Sequence, residues 1–327
     1  MEEARARSKL SIWLIGLLLG PIILMLWLGR GWLAFFYLLA QLILIALALL
    51  VVGTGVVAPP AFADFDVMVL LVNALFNIVG IVHGLRIREA SSARPWFSRW
   101  YVAIVLTFAL SWLIPFGIRE LLFQPFNIPS GSMIPALTPG DHVFVSKTAY
   151  GYSRYSFILG PNFSGRIWGA EPRRGDIVVF KLPRDNQTDY VKRLIGLPGD
   201  RIQMRDGIVH LNGEELKLAP VQGVPCLGYD PCNYFRETLP GGNSYVVNDS
   251  IANGAADSTP EYIVPDGHYF MLGDNRDNAL DSRFADNAPG GGVGFVPYEN
   301  LVGRVAVIYW NSYGTRIDDR LQGYPGK

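Results

Sequence analysis

The sequence predicts an N-terminal α-helical transmembrane region over residues 1–118, followed by a mostly antiparallel all-β domain over residues 119–327. Two observations predict the division. Residues 10–118 hold only eight Asp, Glu, Lys or Arg side chains, whereas residues 119–327 hold 43, of which 20 are basic and 23 acidic. Across the same boundary the apolar runs shorten from membrane-spanning length to β-like segments set between Gly, Pro, Asn and Asp. Half of the 327 residues are hydrophobic, 17% are charged and the formal net charge is zero. That is not the composition of a disordered chain or of a polybasic nucleic-acid-binding protein.

Uncharged apolar runs occupy about residues 10–29, 31–57, 67–85 and 101–118. Each approaches the roughly 20 residues that a helix needs to cross a bilayer core. Four in succession would leave a soluble fold no polar surface, so three to four transmembrane helices are expected. A cleavable secretory leader does not fit the first run: Lys9 is followed by no small-residue cleavage site, and further runs come soon after.

The loops set the orientation. Arg86, Arg88, Arg94 and Arg99 stand between the third and fourth runs, while Asp64, Asp66 and no base stand between the second and third. Basic loops stay in the cytoplasm, so the fourth span delivers everything after Arg119 to the opposite side. Four spans then put Arg5, Arg7 and Lys9 outside, against the same rule. The alternative is a hairpin that does not fully cross, built from the first two runs around Gly29, Arg30 and Gly31 with Pro21 inside.

Cys226 and Cys232 enclose a short Leu-Gly-Tyr-Asp-Pro loop in the part expected to be extracytoplasmic. A disulfide suits that compartment, with two free thiols as the open alternative. A metal pair is disfavoured because no second Cys or His pair stands nearby. In so small a loop a disulfide stabilises by roughly 2–3 kcal/mol.

Beyond residue 119, strands are expected at 176–182, 188–195, 201–205, 208–211, 269–272 and 302–310, all rich in Val, Ile, Tyr and Phe. Pro198-Gly199-Asp200, Asp206-Gly207 and Asn212-Gly213 read as hairpin-type turns. Residues 150–170 and about 215–265 are rich in Gly, Pro, Asn and Tyr with little periodicity, and the latter reads as a loop-rich insertion.

The chemistry has few candidates. The four His, at 83, 142, 210 and 268, show no metal-ligand spacing, and no Gly-rich phosphate loop follows a strand. No metal and no cofactor is expected. What stands out is Pro129-Ser130-Gly131-Ser132-Met133-Ile134-Pro135, where small residues between prolines can expose a hydroxyl beside free backbone N–H groups. A serine hydroxyl needs a base. Lys192, in the strand Tyr190–Ile195, becomes one only if burial lowers its free pKa of about 10.4 by about 3 units, at roughly 4 kcal/mol.

These stretches together resemble the bacterial type I signal peptidases, membrane-bound Ser/Lys proteases. The resemblance covers roughly residues 119–310 and rests on motifs in order: the Ser-bearing segment 129–137, Gly140-Asp141, Arg174-Gly175-Asp176, the Lys-bearing segment 190–200, and Gly273-Asp274-Asn275-Arg276-Asp277-Asn278 with Asp281-Ser282-Arg283. The Cys226/Cys232 pair also agrees with that family. It implies a fold of signal-peptidase-like coiled β-sheets and removal of N-terminal signal peptides from exported proteins after small residues of Ala-x-Ala type. It implies a multi-pass protein of the bacterial cytoplasmic (inner) membrane, with the catalytic domain on the extracytoplasmic side. The partners it implies are signal-peptide-bearing precursors and the lipid bilayer, with the secretion translocon as a further candidate and no nucleic acid.

By the same resemblance Ser132 is the nucleophile, Lys192 its general base, and Ser130 a hydroxyl that joins the Ser132 N–H in binding the oxyanion. Phe126, Ile128, Pro129, Met133, Leu137, Tyr190 and Val191 match substrate-binding positions. Gly273, Asp274, Arg276, Asp281, Ser282 and Arg283 match site-organising ones. The precursor is expected to add as a strand beside the Lys-bearing strand.

Two departures stand out. Ala279 occupies a position where the family often has a Ser that holds the lysine, which leaves packing, Ser282 or water to position Lys192. The stretch 284–293 is longer than usual. Two alternatives to signal-peptide removal remain: a specialised processing peptidase, such as one maturing pilins, and a catalytically silent membrane-binding homologue.

Overall fold

The computed structural model describes residues 8–54, 65–87, 95–157, 163–222, 226, 232–254, 256–286 and 291–313. The chain divides into two compact units, Met1–Gly117 and Ile118–Lys327.

The apolar runs form four helices: α1 (Lys9–Trp27), α2 (Gly31–Thr54), α3 (Phe65–Arg86) and α4 (Trp100–Leu121). By length and composition Lys9–Trp27 and Tyr101–Leu121 suffice to cross a membrane. Ser8 caps α1 by accepting the Ser11 N–H at 3.1 Å. The helix is interrupted at Gly20, whose backbone is non-helical (φ 82°), just before Pro21. Small residues let α1 and α3 close on each other: a Cβ on Gly80 would fall 2.3 Å from the Pro21 Cβ, and one on Gly16 2.3 Å from Ile81.

The second unit is antiparallel β structure. Its strands are β1 (Phe123–Asn127), β2 (Asp141–Ser146), β3 (Ile177–Lys181), β4 (Asp189–Gly196), β5 (Arg201–Arg205), β6 (Ile208–Leu211), β7 (Glu214–Glu215), β8 (Lys217–Pro220), β9 (Tyr234–Thr238), β10 (Ser244–Asn248), β11 (Tyr262–Ile263), β12 (His268–Leu272), β13 (Val296–Pro297) and β14 (Leu301–Asn311). Seven form one sheet in the order β1-β2-β14-β3-β4-β12-β13; β10-β9-β8 and β11-β5-β6-β7 form two smaller sheets. Bulges in β14, between Val305 and Val307 and between Ile308 and Trp310, and one in β4, where Ile195 is the extra residue opposite Phe270 and Met271 of β12, curl the large sheet. Apolar side chains fill its folds, from Val143, Val145, Ile177 and Val179 on one side to Val178, Phe180, Leu194 and Met271 on another.

Each of the six expected strands is present. Asp206-Gly207 and Asn212-Gly213 close two-residue hairpins with positive φ at all four residues, as the right-handed twist of the flanking strands requires. Pro198-Gly199-Asp200 is different. It closes no hairpin, but carries the chain from β4 in the large sheet to β5 in another. Residues 215–265, expected as a loop-rich insertion, hold short strands between their loops. That stretch carries β8, β9 and β10, which apart from Val246-Val247 lack Val- and Ile-rich runs, and whose burial comes from Ile134, Tyr234 and Val246 packing together. Cys226 and Cys232 are joined by a disulfide.

Candidate active site

The serine turn lies between β1 and β2, whose antiparallel pairing runs from Phe123↔Ser146 to Asn127↔His142. Just beyond it Ile128 N–H donates to Asp141 O (2.8 Å) and Gly140 N–H to Ile128 O (2.9 Å), closing residues 129–139 into a loop. Asp141 is fully buried, its carboxylate accepting from Thr138 N–H (2.6 Å) and Asn311 Nδ2 (2.7 Å). Inside the loop Met133, Ile134 and Leu137 are wholly buried and anchor it. With those side chains turned inward, Ser130 stays exposed and Ser132 faces a cleft of about 540 Å3.

Lys192 comes from β4 across that cleft. Its Nζ lies 2.8 Å from Ser132 Oγ and donates to Val191 O at 2.9 Å. Ser130 Oγ lies 3.3 Å from Ser132 Oγ. The lysine side chain is buried (4% exposed), and burial lowers its pKa to about 8. Asp281 and Asp274 oppose the shift and Arg283 adds to it. Both carboxylates are themselves paired. Arg193 grips Asp274 at 2.7 and 2.6 Å, and Arg283 grips Asp281 at 2.9 Å through both nitrogens, so each carboxylate already carries its own cation.

The other expected organising residues converge on the same place. Gly273 N–H donates to Asp281 Oδ2 (2.9 Å), and a Cβ there would fall 2.2 Å from the Ala279 Cβ and 2.7 Å from Ser132 O, so only glycine fits. Arg276 is buried against Glu237 of β9 (2.7 Å), and Arg283 Nη2 donates to Arg276 O (2.6 Å). Ser282 does not hold the lysine: its Oγ accepts the Met271 N–H (2.9 Å). Where Ala279 supplies no hydroxyl, the amine is held by the main-chain carbonyl of Val191.

Of the expected substrate-binding residues, Pro129, Tyr190 and Val191 line the cleft. Ile128, Met133 and Leu137 instead sit in the core beneath it, and Phe126 packs against that core. Their apolar side chains gain more from the sheet's inner face than from an open wall. Sequence reasoning missed Thr188, Asp189, Asn278, Leu280 and Phe284 as lining residues, and it missed Asn275 as a contact of the serine turn. Part of the extended stretch, 287–290, lies outside the described residues. Val293 at its end is fully buried and its N–H donates to Asp281 O (3.3 Å).

One edge of β4 is open here. β3 pairs along it from Asp189 to Arg193, but β12 joins only from Arg193 onward, so among the described strands Asp189–Lys192 has no partner on the second side. An incoming extended peptide can add there by main-chain hydrogen bonds.

Residues 97–310 match the family described as "Signal peptidase, peptidase S26". The chain belongs to this family. It is accordingly a serine endopeptidase of the signal peptidase I type. The chain is 40% identical over 215 residues to a signal peptidase I of Rickettsia typhi (strain ATCC VR-144 / Wilmington), covering 62% of this chain and 78% of that one. Against a signal peptidase I of Rickettsia conorii (strain ATCC VR-613 / Malish 7) it is 39% identical over 230 residues, covering 66% and 82%. A solved signal peptidase I from Enterococcus faecalis V583 is 30% identical, covering 42% of this chain and 98% of that chain, with a TM-score of 0.25. The matched stretch of the family takes in both Ser132 and Lys192.

Proposed function

We propose that this peptidase is held in a bacterial cytoplasmic membrane by its apolar helices and removes signal peptides from exported precursors through a Ser132/Lys192 dyad. The observation that carries the reading is the 2.8 Å approach of a buried amine to a serine hydroxyl in a cleft with an open strand edge. In the neutral state the Ser132 hydroxyl donates to the lone pair of Nζ. As Oγ attacks the scissile carbonyl, its proton passes to Nζ, and the oxyanion takes hydrogen bonds from the Ser132 N–H and the Ser130 hydroxyl. The Lys192 ammonium then protonates the departing amine, and a water repeats the sequence on the acyl-enzyme. The substrate strand lies along Asp189–Lys192, with small side chains before the cut directed toward the wall that Pro129, Tyr190 and Val191 build. The multi-pass topology, with residues 119–327 outside the cytoplasm, follows from the Arg-bearing loop at 86–99.

The test is incubation of the purified full chain in detergent with a secretory precursor and, in parallel, a pilin precursor, with mass mapping of the products. One cut in the secretory precursor, after a small residue beyond its apolar stretch, is the expected result. Cleavage of the pilin precursor alone replaces this reading with the specialised one, and no cleavage of either replaces it with the silent one.

The pH dependence follows from the amine. Below about pH 8 Lys192 is protonated and accepts nothing, so kcat/KM on a small peptide rises with pH through about 8 and then levels. Stability moves in the same direction. Because the folded pKa lies below the unfolded value, the unfolded chain binds more protons between the two, and this group's contribution to stability grows from about pH 8 toward about pH 10. Lys147 has its pKa lowered to about 8 as well, but its Nζ donates to the carbonyls of Ser156 and Glu120. A rate limb near 8 that survives Lys147→Met is assigned to the dyad; a flat profile from pH 6 to 10 removes the neutral-lysine base.

A further inference from the structure

We propose that Asn275 is a positioning residue that aims the oxyanion-binding N–H of Ser132, and that the small sheet β8–β10 holds it in place through Asn248. The inference rests on Ser132 being the nucleophile. A trans peptide is planar, so its C=O and the following N–H point in opposite directions. Whatever fixes the Gly131 carbonyl therefore fixes where the Ser132 N–H points. Asn275 Nδ2 donates to Gly131 O at 3.1 Å, and the Asn275 main-chain N–H donates to Ser132 O at 3.1 Å. One buried residue, 2% exposed, thus holds the carbonyls on both sides of the nucleophile. Within the loop itself only Ile134 N–H adds to this, donating to Gly131 O at a longer 3.2 Å.

An asparagine side chain can turn over, exchanging donor for acceptor. Here its neighbours decide. Asn248, 3% exposed at the end of β10, accepts on Oδ1 from Asn233 N–H (3.0 Å) and Ser250 Oγ (2.8 Å). Its Nδ2 therefore faces Asn275 Oδ1, 3.4 Å away. A turned Asn275 would set amine against amine and oxygen against the Gly131 carbonyl. The Asn248 N–H also donates to Asp274 O at 2.8 Å, tying the strand to the residue before Asn275. The order runs from Asn233 and Ser250 through Asn248 and Asn275 to the Gly131 carbonyl, and ends on the Ser132 N–H.

The experiment measures kcat, KM and the pH–rate profile of the full chain in detergent, on a peptide with small residues first and third before the cut. Asn275→Ala and Asn275→Asp, the latter keeping size but losing the donor, are expected to lower kcat about 10- to 100-fold, less than outright loss of a donor. KM stays within about twofold and the acidic limb stays near pH 8, because Lys192 is untouched. Asn248→Ala, further from the site, is expected to lower kcat about 3- to 10-fold. It adds nothing to Asn275→Ala in the double variant, since both act through one carbonyl. If the Asn275 variants do not fold, Asn248→Ala alone carries the test. The proposal is overturned by kcat within twofold of the parent in the variants that fold, by a loss confined to KM, or by multiplicative losses in the double variant. Ser132→Ala in the same assay separates the two ideas: its retained activity defeats the nucleophile assignment, whereas an inactive Ser132→Ala beside fully active Asn275 variants defeats only the aiming role.

Discussion

Ser132→Ala is expected to abolish precursor cleavage, with a loss in kcat/KM of about 10⁴-fold or more, and Lys192→Ala to do nearly the same. The two groups act as a unit. Without the hydroxyl there is nothing to deprotonate, and without the amine the hydroxyl keeps its proton. The double variant should therefore be no slower than the worse single one, which is the signature of one shared step. Lys192→Arg separates charge from basicity. A guanidinium keeps the positive charge but does not deprotonate in a protein, so this variant should be as inactive as the alanine. Ser130→Ala should lose about 10²- to 10³-fold, the usual effect of removing one oxyanion donor. Each number comes from initial rates on a peptide substrate, with circular dichroism to show that the variant is folded. A Ser132→Ala protein within tenfold of the parent rate, or a histidine variant at 142, 210 or 268 that is inactive, would falsify the dyad. Of those three side chains, the His142 Nε2 bonds Ser312 Oγ (3.0 Å) and His268 Nδ1 meets Asp266 O (2.9 Å), away from the cleft.

Much of this was legible in the residues, and unevenly so. The division near residue 118 follows from charge density alone, and the six expected strands follow from apolar runs rich in Val, Ile, Tyr and Phe bounded by turns. Ser132 and Lys192 stand out as a Ser-Gly-Ser between prolines and a lysine in an apolar strand, but their pairing and roles come from the resemblance to the type I signal peptidases. Three features were not legible. Strands β7 to β11 have two to five residues each, and apart from Val246-Val247 in β10 they lack the Val- and Ile-rich runs that mark the other strands. That Val191 supplies the carbonyl that holds Lys192 depends on the rotamer of the lysine folding back on its own strand, which no spacing rule reports. The Asn248–Asn275 contact joins residues 27 apart in sequence through an isolated parallel bridge, and asparagine is otherwise read as turn chemistry. The apolar residues expected to line the cleft carry a second role that likeness does not report. Met133 and Leu137 match substrate-binding positions by likeness, and the burial of both side chains also anchors the loop.

The second large effect concerns the pair behind the lysine. Arg193 and Asp274 are 5% and 1% exposed at the side chain and meet through two parallel hydrogen bonds; Arg193 also donates to Gly175 O (2.8 Å) and lies 4.0 Å over the Tyr245 ring. Asp274→Ala strands a guanidinium that cannot shed its proton in a site closed to water. The expected destabilisation is about 3–5 kcal/mol, with the midpoint of thermal unfolding lowered by about 10 °C for a unit of this size. Replacing both, as Arg193→Met with Asp274→Leu, removes the stranded charge together with its partner and should recover most of that loss. The single variant should also shift the chemistry. Asp274 is one of the two carboxylates that favour the ammonium form of Lys192, so its removal, with Arg193 left uncompensated, moves the acidic limb of the rate profile to lower pH. Calorimetry and the pH–rate profile of the same preparation check both halves. A melting midpoint within 2 °C of the parent would mean that water reaches Arg193, and a limb moving upward would mean that Asp274 does not act on the lysine. A destabilised protein whose limb has moved down is the one outcome that both effects require, because the pair that ties β4 to the turn after β12 is also part of the electrostatic surroundings of the base.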